Sequence, residues 1–263
     1  MDALLHVENL VKKFGGLTAV DQMSLDIFKG EVVGLLGDNG AGKSTFIKMV
    51  SGVYLPDEGE IYFDNQKMEF NGPREARDKG IETIYQDLAL AENLDIGSNI
   101  FLGREMKKAW LGGIIHTLDR AKMRDASSKV LDRLDIHVQS MSQQVRNLSG
   151  GQRQTVAIAR SIYWDAKMMI MDEPTAALGV TEQRKVLTLV RTLAEQGIPV
   201  ILISHNMQDV FAVADRIVVM RRGKKVGELL ADKTTPDEVV SLMVGAEAVH
   251  EMGVIPKALR SND

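Results

Sequence analysis

Residues 37–45 read Gly-Asp-Asn-Gly-Ala-Gly-Lys-Ser-Thr, and no other stretch constrains the chain as tightly. The run is a complete G-x-x-x-x-G-K-[ST] match, set between an apolar strand, Glu31–Leu36, and a helix-like segment, Phe46–Ser51. Phosphate must approach bare backbone, so glycines stand at 37, 40 and 42. The N–H groups of Asp38, Asn39, Gly40 and Ala41 then converge as an anion nest. They do so at a helix N-terminus worth about half a positive charge. Lys43 is placed to reach terminal phosphates and Ser44, beside Thr45, to hold Mg²⁺.

Two further segments carry chemistry. Lys167–Met171 is an apolar strand that ends in Asp172 and Glu173. Alone, such a strand end is usually a solvated terminus. Beside a phosphate loop, Asp172 reads as a Mg²⁺ ligand and Glu173 as a general base for an attacking water. Leu148-Ser149-Gly150-Gly151-Gln152 precedes a helical stretch, Arg153–Tyr163. Alone it would be an ordinary serine cap. In this chain it is a second set of N–H donors at a helix N-terminus. One phosphate tail does not need two nests from one molecule, so a dimer is expected, each copy capping the nucleotide of the other.

Composition narrows the class. The chain has 263 residues, a formal net charge of −4 and no cysteine. Thiolate metal sites, disulfides and cysteine nucleophiles are excluded, and a mainly electrostatic nucleic-acid partner is disfavoured, so none is expected. Asp2 and Glu8 interrupt the first apolar stretch, which does not read as a signal peptide. No apolar run approaches the ~18–20 residues of a spanning helix. Further strands are expected at His6–Val11, Met23–Phe28, Glu60–Phe63, Ile81–Tyr85 and Pro199–Ser204, with a hairpin from Ile217–Met220 and Lys224–Leu229. Helices are expected at Thr181–Gln196 and Pro236–Val244. Strand signals fade over 87–164, where Thr117–Leu134 suits an amphipathic helix built on Leu118, Met123, Val130, Leu131 and Leu134. The methionines at 168, 169, 171 and 207 read as core. His6, His116, His137 and His250 read as structural.

The phosphate loop, the Ser149–Gln152 signature and the Asp172-Glu173 pair, in that order, resemble the ATP-binding subunit of ABC transporters. The resemblance covers nearly the whole chain. It implies an α/β fold: a P-loop NTPase (RecA-like) core with an antiparallel β subdomain and an inserted helical subdomain. The core would be 1–86 and 165–245, the helical part 87–164, and 246–263 a mobile tail, all within one ATPase domain. It implies ATP and Mg²⁺ as ligands. Phe14 falls where the family stacks an aromatic on adenine, with Val20 beside it. Gln86 falls at the family's glutamine, which senses Mg²⁺ and the γ-phosphate and links to the transmembrane partner. His205 matches the switch histidine that contacts the γ-phosphate. One position departs: after Ala177-Leu178 the family usually has aspartate, and here Gly179 removes a carboxylate and adds backbone freedom.

Residues 37–45, Tyr85–Leu90, Asn99–Glu105 and Ser204–Met207 resemble monosaccharide importers of the ribose, xylose and fructose type. That branch implies an ATPase energising a bacterial importer from the cytoplasmic face of the inner membrane. Its partners would be a second ATPase copy, permease subunits and, indirectly, a sugar-binding protein. Two neighbouring readings keep the same site. One is a soluble ATPase of the superfamily, as in iron–sulfur assembly. The other is an importer of branched-chain amino acids, which share Phe14-Gly15-Gly16-Leu17.

Overall fold

Val32–Leu36 is buried end to end, and the larger sheet is built around it. The computed structural model describes residues 3–110, 115–133, 136, 138 and 140–245. Along the chain run β1 (Leu5–Phe14), β2 (Leu17–Ile27), β3 (Val32–Leu36), α1 (Lys43–Val50), β4 (Glu58–Phe63), β5 (Gln66–Lys67), α2 (Pro73–Lys79), β6 (Ile81–Ile84) and α3 (Ile96–Ile100). Then follow β7 (Lys107–Trp110), β8 (Ile115–Leu118), α4 (Arg120–Arg133), α5 (Gly150–Tyr163), β9 (Met168–Asp172) and α6 (Val180–Glu195). The chain continues through β10 (Val200–Ile203), α7 (Met207–Val213), β11 (Arg216–Arg221), β12 (Lys224–Leu230) and α8 (Pro236–Val244).

The large sheet has the order β12-β11-β3-β10-β9-β6. Its strands are parallel except β12, which closes the edge antiparallel to β11. Such strands are apolar on both faces because both are covered. Alternate residues divide between two cores. Val32, Met169, Met171, Val200 and Leu202 join the face packed by α5 and α6. Val33, Leu35, Met168, Ile170, Ile201 and Ile203 join the face shared with α1 and the second sheet. Met168, Met169 and Met171 are fully buried, while Met207 packs partly buried at the core edge. The second sheet, β2-β1-β4-β5, is antiparallel throughout.

The stretch 87–164 departs from the sequence expectation in one respect. It holds α3, α4 and α5, but also an antiparallel ribbon, β7–β8, paired from Lys107↔Leu118 to Trp110↔Ile115. Thr117 and Leu118 therefore belong to a strand, and the expected helix begins at Arg120. Leu118 is exposed, whereas Met123 and Leu131 are buried as the helical spacing requires. A two-stranded ribbon holds no core of its own, so it leaves no alternating apolar signature. Leu134, His137, His250 and the expected tail at 246–263 lie outside the described residues.

Candidate functional site

The sheet order brings the sequence candidates to one edge. β10 lies between β3 and β9, with Ile203 level with Leu35 on one side and Asp172 on the other. β6 flanks β9, with Ile84 level with Met171. The residues that follow these four strands are Gly37, His205, Glu173 and Gln86. They share the carboxyl end of the parallel sheet, where open α/β sheets form their ligand crevices.

The loop after β3 is tightly backed. Gly42 has φ +102°, and a Cβ there would meet Ala19 O at 2.4 Å, so only glycine fits. A Cβ on Gly40, also at positive φ, would point into open space. Asp38, Asn39, Gly40 and Ser44 are exposed, while Ala41 is buried and anchors the loop. Gly37 and Thr45 are half-buried. Lys43 Nζ donates to Gly37 O at 2.6 Å and to Asp38 O at 3.0 Å. The ammonium thus lies over its own loop. Burial pushes it down, opposed by the Glu173, Asp172 and Asp38 carboxylates.

Asp172 is half-buried at the end of β9. Burial and then the Glu173 carboxylate push it up, against Lys43 and Lys48. A carboxylate in that position gains most from a nearby cation, and a divalent ion would suit it. Glu173 sits at φ +54°, a conformation non-glycine residues rarely keep. Its N–H is held by Ile203 O at 2.9 Å. His205 Nδ1 lies 2.6 Å from Glu173 Oε2. The contact is not aligned as a hydrogen bond, and that buried oxygen has no hydrogen-bond donor. A water molecule fits this need. The loop beyond is pinned from below: Thr175 Oγ1 donates to Asp209 Oδ2 at 2.6 Å, both residues buried. This ties the Glu173 loop to the helix that follows His205.

Gln86 is exposed and lines a cavity of about 370 Å³ with Glu173, Leu178, Gly150, Arg153 and Gln154. Ser149 caps α5 in a reciprocal box. Its Oγ accepts from Gln152 N at 3.3 Å, and Gln152 Oε1 accepts from Ser149 N at 2.9 Å. Ser149, Gly150 and Gln152 face outward. Gly151 does not: it is buried, and a Cβ there would meet Glu182 Cγ at 2.6 Å. It serves the packing of α5 on α6. Gly179, at φ −68°, uses none of glycine's extra freedom. It leaves α6 without a side-chain cap, and the Glu182 carboxylate comes within 2.9 Å of where a Cβ would be.

Phe14 stands 44% exposed at the tip of the β1–β2 hairpin, edge-on to Tyr54 at 5.4 Å. The family resemblance sets Val20 beside it; Val20 lies on β2 opposite Lys12. Val20 is wholly buried, because it faces inward where β2 passes beneath the phosphate loop.

Sequence reading missed Thr175, Asp209, Glu182 and Arg160, whose partners lie on other elements. It also missed the structural role of Asn99, fully buried, which accepts from Ala91 N and donates to Ala91 O and Asp95 O. An asparagine in an apolar helix is the one local signal for that role.

The ABC transporter family matches residues 20–176, and the chain belongs to that family. The xylose/arabinose import ATP-binding protein of Sulfolobus acidocaldarius is 49% identical over 92% of this chain and 94% of its own length. The fructose import ATP-binding protein of Rhizobium meliloti is 46% identical over 94% and 95%. The ribose import ATP-binding protein of Clostridium tetani is 40% identical over 92% of this chain and 47% of its own. Among solved structures, an ATP-binding cassette of an ABC transporter in its ADP conformation superposes with TM-score 0.78. It is 27% identical and covers 95% of this chain and 98% of that one. A dimeric cassette in a post-hydrolysis state bound to ADP and phosphate gives TM-score 0.71 at 26% identity, over 86% and 98%.

Proposed function

We propose that this chain is the ATP-hydrolysing subunit of a monosaccharide importer. The observation that carries the ATPase reading is the convergence of the phosphate loop, Asp172, Glu173, His205 and Gln86 at one end of four adjacent strands. The sugar reading is supported by relatives named for xylose, fructose and ribose import, two of them matched over nearly their full length.

In this reading Gly37–Thr45 wrap the phosphates of ATP, and Lys43 exchanges its loop carbonyls for phosphate oxygens. Phe14 offers its exposed ring to the adenine. Ser44, Asp172 and Gln86 would hold Mg²⁺, which would neutralise charge building on the phosphates. Glu173 Oε2, buried and without a donor, takes the proton of the attacking water. His205 lies against Glu173 and orients it toward the γ-phosphate. A second copy supplies Ser149, Gly150, Gly151 and Gln152 to the same nucleotide, a reading supported by the outward-facing Ser149, Gly150 and Gln152 and by the bonds between Ser149 and Gln152 that shape the turn. No helix among the described residues is long and apolar enough to cross a membrane. As in the importers its relatives are named for, the subunit works from the cytoplasmic face of the inner membrane, through permease subunits that meet it near Gln86 and 87–103. A sugar-binding protein reaches it only through that permease.

The test is recovery of the tagged chain from detergent-solubilised native membranes, followed by mass spectrometry. A polytopic permease with a sugar-binding protein is the expected company. A purely soluble set of partners would overturn the transport reading and leave the ATPase site standing.

A further inference from the structure

The turn that follows Gln86 is held by a residue the ATPase reading does not use. Ala89 sits at φ +47°, a conformation a non-glycine residue keeps only with outside support. Its N–H donates to the Asp87 carboxylate at 3.1 Å. From the other side, the guanidinium of Arg160 donates to Ala89 O at 3.2 Å and to Leu88 O at 3.3 Å. A planar fork spanning consecutive carbonyls fixes both peptide planes at once.

Arg160 lies on α5, the helix capped by Ser149, about 16 Å along its axis. Two turns earlier on the same face, Arg153 grips the far end of the loop, donating to Glu92 Oε1 at 3.0 Å and Arg146 O at 3.1 Å. Both guanidinium groups are half-buried. Burial pushes Arg160 down, and Glu82 on β6 offsets that. An arginine drawn this far out of water is kept in place by what it holds.

We propose that Arg160 is a positioning residue for ATP hydrolysis: it locks the turn 87–90 and so sets where Gln86 stands, making the glutamine follow the helix that carries Ser149. The proposal rests on the reading of Gln86 as part of the ATP site. Arg160 touches no reacting atom. Its loss should slow turnover without weakening nucleotide binding, because the phosphate loop is untouched.

The experiment is a double-mutant cycle in the full chain, read as steady-state ATPase with Mg²⁺ and as thermal melting. Arg160→Gln is expected to lower kcat about tenfold with KM changed less than about twofold. Arg160→Lys keeps the charge but not the fork, and should recover part of the rate. In a Gln86→Ala background, Arg160→Gln should add less than about a twofold loss, because both changes act on one device. Multiplying losses, or a rate that falls only in step with melting, would make Arg160 a packing residue and overturn the proposal. Should Arg160→Gln not fold, the same cycle with Arg160→Lys decides. A wild-type rate in Gln86→Ala alone would instead strike the site reading on which the proposal stands.

Discussion

Lys43 carries the phosphate loop's only formal positive charge, and its ammonium lies over the loop's own carbonyls. It satisfies Gly37 O and Asp38 O, half-desolvated and near three carboxylates. In the proposed function those bonds are exchanged for bonds to phosphate oxygens, which are charge-assisted and stronger. Lys43→Ala should therefore weaken ATP binding about ten- to a hundredfold, the worth of a hydrogen bond between charged groups. Titration calorimetry checks this, and an unchanged affinity would contradict the role. The motif residues were legible because their chemistry is local: glycine spacing, a lysine and a hydroxyl in a fixed run. Thr175 was not, because its importance lies in Asp209, on another helix. Thr175→Val leaves that buried carboxylate without its donor. It should cost about 1–3 kcal/mol, read as a lower urea midpoint with the slope unchanged.

At the scale of elements, the signature doubles as a cap. Ser149→Ala removes the acceptor for Gln152 N and should cost about 1 kcal/mol by urea unfolding. Its capping box was readable from the three-residue spacing of Ser149 and Gln152. The burial of Gly151 under Glu182 was not, since it depends on how α5 meets α6. β6 carries a second consequence. Burial pushes Glu82 up, against Arg77, Arg104 and Arg160. Its folded value lies above its unfolded one. The stability it contributes is complete below the ordinary carboxylate range and is lost as pH rises through the folded value. Unfolding free energies measured from pH 4 to 8 should shift in favour of Glu82→Gln over the native chain as pH rises. A difference constant with pH would show that Glu82 is ionised as easily folded as unfolded. The β7–β8 ribbon marks the limit of pattern reading. β7 opens on Lys107 and Lys108, and neither it nor β8 alternates apolar with polar residues, so period-two reading finds no half-buried strand there.

On the scale of the whole molecule, the site is a product of strand order. Apolar runs near Leu35, Met171 and Ile203 announce strands, but not that β10 lies between the other two. That crossover is what sets His205 against Glu173 and both beside the phosphate loop. Ser149, Gly150 and Gln152, at the start of α5, face outward. In the proposed function a second copy completes the site. Light scattering of Glu173→Gln, with and without ATP and Mg²⁺, tests it most directly. Without a base, the nucleotide is bound but not consumed. The variant should pass from its chain mass of 29.0 kDa to twice that on adding ATP, and show no turnover. A variant that binds ATP yet stays at the single-chain mass, or that hydrolyses at the native rate, would contradict the account.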